Sequence, residues 1–290
     1  MQPCFTPSDH TGSVPREVIR HRNGAPVSTT DQVVEELPVA LVFNGISHAV
    51  MMATPIDLEA FALGFALSEG IVERASDVFD IETVLLPTSA EVQLTVSQQA
   101  FMTLKVKRRA LAGRSGCGVC GIESIELLDL QPTRLEHAGI ANDIPADAVE
   151  RAARELPEHQ VLMLQTGGIH AAAWCSRDGA VLHVFEDVGR HNALDKLIGQ
   201  LARKRIDPRT GFVFLSSRAS YELVRKAARM QIPMIATISA PTSLAIQIAQ
   251  QAGIRLLGFC RGSGFVEYTS PSAEAPAHTP APEMACCVSH

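Results

Sequence analysis

The chain has 290 residues, of which 46% are hydrophobic, and a formal net charge of -6 at pH 7. This length and composition allow a large buried core, arranged as one big domain or two smaller ones. The acidic balance argues against a general binder of nucleic acid or of membrane surfaces, and no apolar run reaches the length of a membrane span. Residues 1–30 lack the apolar segment of a secretory signal, so we expect a cytoplasmic protein whose seven cysteines are reduced thiols rather than a disulfide framework.

The two ends of the chain carry no hydrophobic periodicity. Residues 1–30 mix acids, bases and prolines, and residues 270–290 are rich in Pro, Ala, Ser and His. Such segments bury too little apolar surface to join a core, so both are predicted to be mobile and to lie outside the fold. Residues 31–144 are predicted to form a small mixed α/β unit and residues 145–269 a larger α/β domain.

The N-terminal unit opens with a hairpin signal. Three segments have the apolar pattern of strands: 37–52, 92–96 and 102–106. The first is interrupted by Asn44-Gly45, a pair that suits a two-residue hairpin turn. A helix is predicted to follow, with Thr54 as N-cap, Pro55 at the first helical position and Gly70 as the stop.

The segment 113–121, GRSGCGVCG, carries the most reactive chemistry in the sequence. Its glycines keep a loop out of regular structure and let another molecule approach the backbone. The positive charge of Arg114 favours the thiolate forms of Cys117 and Cys120. On the residues alone, this pair is a redox dithiol, half of a zinc site, or a carrier of sulfur.

The three alternatives make different demands on the chain. A structural zinc site commonly needs a second pair of ligands, and the sequence offers one CxxC pair, so no metal site is predicted. A thioredoxin-like dithiol should open a helix, which Gly116, Gly118 and Gly121 disfavour. A sulfur carrier needs a mobile thiolate that can move between a donor and an acceptor, and the glycines fit that requirement.

Beyond Pro145 the pattern alternates between strands and helices. Apolar β runs are found at residues 181–185, 212–215, 234–238 and 255–259. Amphipathic stretches separate them at residues 191–204, 220–230 and 243–252. This βαβαβαβ order predicts a largely parallel sheet covered by helices.

Polar residues follow each of the four predicted strands, in segments 186–192, 216–218, 239–243 and 260–264. Ligands of open α/β sheets bind beyond the carboxyl ends of the strands. Hydroxyls, small residues and arginines that lead into helix N-termini suit a phosphate-bearing ligand. The alternative is that the same residues only cap helices and shape turns.

The segment 165–173 places His170 after a glycine turn, at the start of an expected helix. Zinc deaminases have a His ligand followed two residues later by a Glu that moves protons, and afterwards by a CxxC pair. Here the Glu position is Ala172, and the CxxC pair precedes His170. A deaminase mechanism therefore lacks its acid/base, and His170 is interpreted as structural.

Four ordered segments together resemble the FdhD family, the formate dehydrogenase accessory sulfur carriers. They are 53–65 (ATPIDLEAFALGF) with Glu69-Gly70, 113–121, 166–172 (TGGIHAA) and 186–196 (EDVGRHNALDK). The resemblance implies a sulfurtransferase that takes sulfur as a persulfide from a cysteine desulfurase. It would pass this sulfur to the bis-molybdopterin guanine dinucleotide molybdenum cofactor that formate dehydrogenase requires. It also implies that the second domain is a deaminase-like three-layer αβα domain.

The resemblance also assigns residues. Cys117 would carry the persulfide and Cys120 would be its partner in relay or release. The binding segment for the guanine dinucleotide end would comprise Phe259, Cys260, Arg261, Gly262, Ser263 and Gly264.

Four further residues are candidates for holding the phosphates and guanines: Arg190, His191, Ser217 and Arg218. For the arginines 190 and 218 the alternative is a surface ion pair. GDP-like nucleotides should act as analogues of the cofactor. Cysteine desulfurase and formate dehydrogenase are the expected partners, and a homodimer is a further expectation. The competing class is an escort chaperone for the cofactor, which would not need the CxxC pair.

Overall fold

The computed structural model describes residues 10–22, 24–109 and 130–271, without the side chains of 106–109. The CxxC segment and the tail beyond residue 271 lie outside the described residues. The strands are β1 Ser13–Arg22, β2 Ala25–Val34, β3 Leu37–Phe43, β4 Ile46–Ala53, β5 Val78–Leu86, β6 Ser89–Val96, β7 His170–Ser176, β8 Val181–Asp187, β9 Gly211–Leu215, β10 Met234–Thr237, β11 Arg255–Arg261 and β12 Gly264–Thr269. The helices are α1 Leu58–Ser68, α2 Gln98–Arg109, α3 Ala146–His159, α4 Val161–Thr166, α5 Arg190–Arg203, α6 Tyr221–Arg229 and α7 Ser243–Ala252.

The first sheet has four strands in the order β4-β3-β6-β5. The predicted hairpin is confirmed: β3 and β4 pair antiparallel around Asn44 and Gly45, whose φ angles are 45° and 79°. Positive φ at both central residues gives the turn whose twist matches a hairpin. Inward residues such as Leu41 and Leu94 join Phe61 of α1 in one buried cluster.

Helix α1 begins later than predicted. It starts at Leu58, after Asp57 in the left-handed conformation (φ 54°), so the prediction of Thr54 as N-cap is wrong. The Thr54 hydroxyl instead accepts a hydrogen bond from the backbone N–H of Val188, 3.2 Å away. The predicted stop at Gly70, which has a φ of 65°, is confirmed.

Two other predictions for the N-terminal half are wrong. Residues 102–106 lie in α2 and not in a strand, because Ala100 and Leu104, four residues apart, are the buried positions of an amphipathic helix. Residues 13–30, part of the segment 1–30 that was predicted to lie outside the fold, belong to an antiparallel hairpin of β1 and β2. This hairpin is held by ladder hydrogen bonds between largely exposed strands, so hydrophobic periodicity gave no signal for it.

The second sheet has six strands in the order β12-β11-β10-β9-β7-β8. The four strands and three helices predicted beyond Pro145 are confirmed to within about two residues at each end. Strands β9, β10 and β11 are parallel, whereas β7 lies antiparallel between β8 and β9, and β12 is antiparallel to β11. The sheet is therefore mixed, with β7 and β12 as strands that were not predicted.

Strand β7 was missed because its centre is alanine. His170 begins this strand, so the expectation that it begins a helix is wrong. The next five residues are all buried, which places β7 in the middle of the sheet, covered on both faces. Alanine favours helices in isolation, and tertiary burial has overridden that preference here.

Helices cover both faces of this sheet. Val213 and Leu215 of β9 join the buried cluster that contains residues of α5, α6 and α7. Phe212 and Phe214 of the same strand join the cluster that contains α3. Since successive strand residues point to opposite faces, the second half has three layers, αβα. Its relation to deaminases stays a prediction, as do the predicted domain boundaries.

Helices α1 and α5 join the two halves through two glycines. A Cβ atom on Gly64 would lie 1.7 Å from the carbonyl oxygen of Asp195, and one on Gly199 would lie 1.9 Å from that of Ala60. No side chain fits at either position, so the helix backbones are in direct contact. One continuous cluster of buried residues therefore extends across both sheets.

Replacing Gly64 with alanine should force these helices apart. We expect Gly64→Ala to lower the free energy of unfolding by about 1–3 kcal/mol, the typical range of an overpacked core. Urea unfolding followed by circular dichroism measures this change. The matched control is Gly139→Ala, because no atom lies within 4 Å of a Cβ at Gly139. Equal unfolding midpoints for the two variants would contradict the close contact.

Candidate functional site

Strands β8, β9, β10 and β11 run in the same direction and end at one edge of the second sheet. We call this the carboxyl edge. Because β7 runs the opposite way, it begins at this edge, where His170 pairs with Asp187. The polar segments that follow the four strands therefore lie along one edge, spread across the sheet in the strand order β11-β10-β9-β7-β8.

The first of these segments is mostly structural. Lys196 Nζ lies 2.8 Å from Asp187 Oδ2, and both side chains are fully buried. The same ammonium donates to the carbonyl oxygens of Thr54 and Glu186, at 3.1 and 3.0 Å. Asp187 Oδ1 accepts hydrogen bonds from the backbone of Gly189 and the side chain of Asn192. These two charges are saturated within the protein and are not available to a ligand.

The same segment fastens the first sheet to the second. Asn192 Nδ2 donates to the carbonyl oxygen of Met52, at the end of β4, over 2.8 Å. The backbone N–H of Thr54 donates to Asp187 Oδ2 over 3.1 Å. Glu186 accepts from the N–H groups of Leu162 and Met163 in the first turn of α4. Burial raises the pKa of Glu186, and these two hydrogen bonds oppose the rise.

A second buried network lies between α1, α5 and α6. Lys226 Nζ is 2.6 Å from Asp195 Oδ2 and 3.0 Å from Glu69 Oε1, and it also donates to Ser68. Burial raises the pKa of Glu69, but the charges of Lys226 and Arg225 outweigh it and lower that pKa to about 2. Glu69 and Asp195 belong to two of the segments that carry the family resemblance, but nothing in the sequence links them to each other or to Lys226.

The groups that face outward at the carboxyl edge are cationic. Arg190 and His191 form the first turn of α5, and the Arg190 Nε atom is buried without a hydrogen-bond partner among the described residues. His191 Nε2 lies 2.5 Å from Glu222 Oε2 in the first turn of α6. Burial lowers the pKa of His170, and the positive charges of Arg190 and His191 lower it further. The side chains of residues 170, 190 and 191 therefore lie close together.

The second and third segments show both predicted roles. Ser217 is buried and donates its hydroxyl to the carbonyl oxygen of Arg218, 3.0 Å away, whereas the Arg218 side chain is exposed. Thr242 caps α7 by accepting from the backbone N–H of Ala245, as the capping alternative predicted. Arg218 is therefore better placed than Ser217 to meet a ligand with its side chain.

The fourth segment differs from its prediction. Residue Arg261 still belongs to β11 and pairs with Gly264 of β12, so Gly262 and Ser263 form a two-residue hairpin turn. The expectation that this segment leads into a helix N-terminus is therefore wrong. Arg261 nevertheless lies at the carboxyl edge, where its Nε donates to the carbonyl oxygen of Ile238 over 2.9 Å.

Phe259 and Cys260, at the end of β11, face different environments. Phe259 has a positive φ of 55° and its side chain is 45% exposed. A non-glycine residue in this conformation is uncommon and often marks a functional position. Cys260 is buried in the cluster around Phe212, and burial raises its thiol pKa to about 11. Any contribution of Cys260 to binding would have to come from its backbone.

The predicted sulfur-handling residues Cys117 and Cys120, with Arg114, lie outside the described residues. Within the described ranges, no cluster of three His, Cys, Asp or Glu side chains is placed to hold a metal ion. None of the helices in those ranges combines the length and apolarity needed to cross a membrane. Glu222 is the site residue that sequence reasoning missed, since an acid in the first turn of a helix is ordinary.

The fold and the site define an α/β protein built on a four-stranded and a six-stranded sheet, with cationic groups along the carboxyl edge of the larger one. Residues 34–274 match the FdhD/NarQ family. The chain is 67% identical over 263 residues to the sulfur carrier protein FdhD of Burkholderia mallei, covering 89% of this chain and 96% of that protein. It is 63% identical over 255 residues to the protein of the same name from Chromobacterium violaceum, covering 87% and 94%. The chain belongs to the FdhD/NarQ family.

A solved structure shares the fold. The crystal structure of a candidate formate dehydrogenase accessory protein from Desulfotalea psychrophila matches with a TM-score of 0.68, covering 89% of this chain and 97% of that one. The two sequences are 22% identical, so this match supports the fold alone.

The contribution of the buried Asp187–Lys196 pair to stability can be tested by substitution. Lys196→Met should lower the free energy of unfolding by roughly 3–5 kcal/mol, because it leaves the Asp187 carboxylate buried without its cation. Chemical denaturation measures the change. The control is Arg203→Met, which breaks the half-exposed ion pair with Glu59 and should cost less than about 1 kcal/mol. Similar losses for both variants would show that burial does not distinguish the two pairs.

Proposed function

We propose that this chain is a sulfur carrier for the maturation of formate dehydrogenase. It accepts sulfur from a cysteine desulfurase on Cys117 and transfers it to the bis-molybdopterin guanine dinucleotide molybdenum cofactor. The observation that carries the proposal is membership of the FdhD/NarQ family together with the CxxC pair in this chain. Relatives named sulfur carrier protein FdhD support the sulfur step, since they match nearly their full length.

The loading step is a thiol exchange. The Cys117 thiolate attacks the outer sulfur of the desulfurase persulfide and forms a new S–S bond. The S–S bond within the desulfurase breaks, and its cysteine leaves as a thiolate. Arg114 favours this step by stabilising the attacking thiolate. Cys120 then serves in relay or release of the bound sulfur.

The carboxyl edge is the proposed binding site for the nucleotide ends of the cofactor. The chain as a whole is acidic, so attraction for a polyanion has to be local. Arg190 and His191 supply that local positive charge in the first turn of α5, Arg218 supplies it between β9 and α6, and Arg261 supplies it at the end of β11. The exposed ring of Phe259 gives a guanine base a surface on which to stack.

Sulfur loading is tested by intact mass spectrometry after incubation with a cysteine desulfurase and free cysteine. The wild type should gain sulfur that a reductant removes, and Cys117→Ala should lose most of this gain, because it lacks the acceptor thiolate. Cys175→Ala is the matched control and should load like the wild type, since Cys175 is fully buried and burial raises its thiol pKa.

Two results would contradict this proposal in different ways. Full loading of Cys117→Ala would assign the acceptor role to another thiol. A wild type that binds guanine nucleotides but never gains sulfur would be an escort for the cofactor rather than a sulfur carrier.

Guanine stacking is tested with GDP by calorimetric titration. Phe259→Ala should weaken GDP binding by roughly tenfold, since base–aromatic stacking contributes about 1–3 kcal/mol. Phe79→Ala is the control, because the Phe79 side chain is 68% exposed but lies on β5 of the other sheet. Equal GDP affinity for Phe259→Ala and the wild type would remove the end of β11 from the binding site.

A further inference from the structure

The pair of His191 and Glu222 is built into the carboxyl edge by two helices. His191 lies in the first turn of α5 and Glu222 in the first turn of α6. The Nε2 and Oε2 atoms are 2.5 Å apart, and the two side chains are 18% and 16% exposed. Ser220 Oγ lies 3.5 Å from the same nitrogen. The carboxylate thus fixes the ring through Nε2, which leaves Nδ1 as the ring nitrogen for a ligand.

The groups around this pair favour the binding of an anion. Arg190 has a buried Nε without a hydrogen-bond partner among the described residues, and such a donor is costly unless something accepts from it. His170 faces the same cluster from β7, where burial and then the charges of Arg190 and His191 lower its pKa, against a smaller opposing effect of the Asp187 carboxylate. The Asp187 carboxylate is already held by Lys196 and Asn192. Around His191, the positive charges therefore outnumber the carboxylates that are free to pair with them.

Glu222 does not cancel this attraction, because its charge is already matched. Burial raises its pKa, but the hydrogen bond from His191 and the charges of His191, Arg190 and Lys226 lower it overall. The carboxylate therefore stays ionised and keeps its hold on the imidazole. A ligand meets the histidine ring and the guanidinium rather than an uncompensated carboxylate.

We propose that Glu222 is a positioning residue that holds His191 so that it binds, together with Arg190, a phosphate group of the nucleotide ligand. This inference rests on the proposed function, because it assigns the phosphate end of the proposed guanine-nucleotide site. It adds Glu222, which no sequence pattern marked, and it assigns a phosphate rather than the base to this end of the carboxyl edge.

The test uses calorimetric titration of the full chain with two probes, GDP and inorganic pyrophosphate. Glu222→Ala should weaken both by roughly tenfold, the value of one charge-assisted hydrogen bond. In a His191→Ala background, Glu222→Ala should cause little further loss, because a positioning residue acts only through its partner. Glu222→Gln should retain most of the affinity, since its amide oxygen still accepts from Nε2.

Glu59→Ala is the matched control. Glu59 also lies in the first turn of a helix and pairs with a cation, Arg203, but away from the carboxyl edge. It should bind both probes like the wild type. Glu222→Asp keeps the charge but withdraws the carboxylate by one methylene, so it should also bind both probes more weakly. This variant provides the test if Glu222→Ala does not fold.

Four results would overturn the inference. They are wild-type affinity in Glu222→Ala or Glu222→Asp, losses that add in full to that of His191→Ala, a loss confined to GDP, and a wild type that binds neither probe. Sulfur loading of the wild type is measured separately and decides the proposed function. A chain that takes no sulfur but binds pyrophosphate through Glu222 would refute the sulfur carrier and retain this inference.

Discussion

The buried pair of Lys196 and Asp187 is the interaction on which the rest of the structure depends. An ammonium and a carboxylate removed from water lose several kcal/mol of hydration each, and they are tolerated only when every polar atom finds a partner. Here those partners come from both halves: Thr54 directly follows β4 of the first sheet, Glu186 lies on β8 of the second, and Asn192 lies on α5. The pair is satisfied only when the two halves are docked in one arrangement. We infer that it contributes by specifying that arrangement more than by adding net stability.

The docking determines where the candidate site lies. Because Asp187 ends β8 and Lys196 is the seventh residue of α5, their contact fixes how that helix leaves the sheet. The glycine contact between α1 and α5 then sets the distance between helix backbones, since no side chain intervenes at Gly64. Arg190 and His191, at the start of α5, have their positions fixed by these two constraints. The geometry of the carboxyl edge is thus a consequence of core packing several residues away.

Much of this fold could be predicted from the sequence, and the failures have physical causes. The strands and helices beyond Pro145 alternate with clear periods, and Asn44-Gly45 specifies its turn directly. Strand β7 is built from alanines that favour a helix until the sheet buries them, and the β1–β2 hairpin has no buried face to create a pattern. For the site, the sequence predicted which strand ends meet. It could not predict Glu222, because that role depends on two helices meeting in space.

The segment 186–196 shows why the sequence of a motif does not reveal which of its residues stabilise the fold and which bind a ligand. Along α5, Asn192, Asp195 and Lys196 turn inward and are satisfied within the protein, whereas Arg190 and His191 lie at the open end. Position along the helix separates these two sets, because residues 192–199 are buried on every side of α5, whereas Arg190 and His191 at its start are only partly buried. A substitution anywhere in the segment can therefore abolish binding, but by different routes. Substitution of an inward residue destabilises the packing of the two sheets against each other. Substitution of Arg190 or His191 removes charge from the carboxyl edge while the fold is retained. Unfolding free energy separates these routes, and an activity measurement by itself does not.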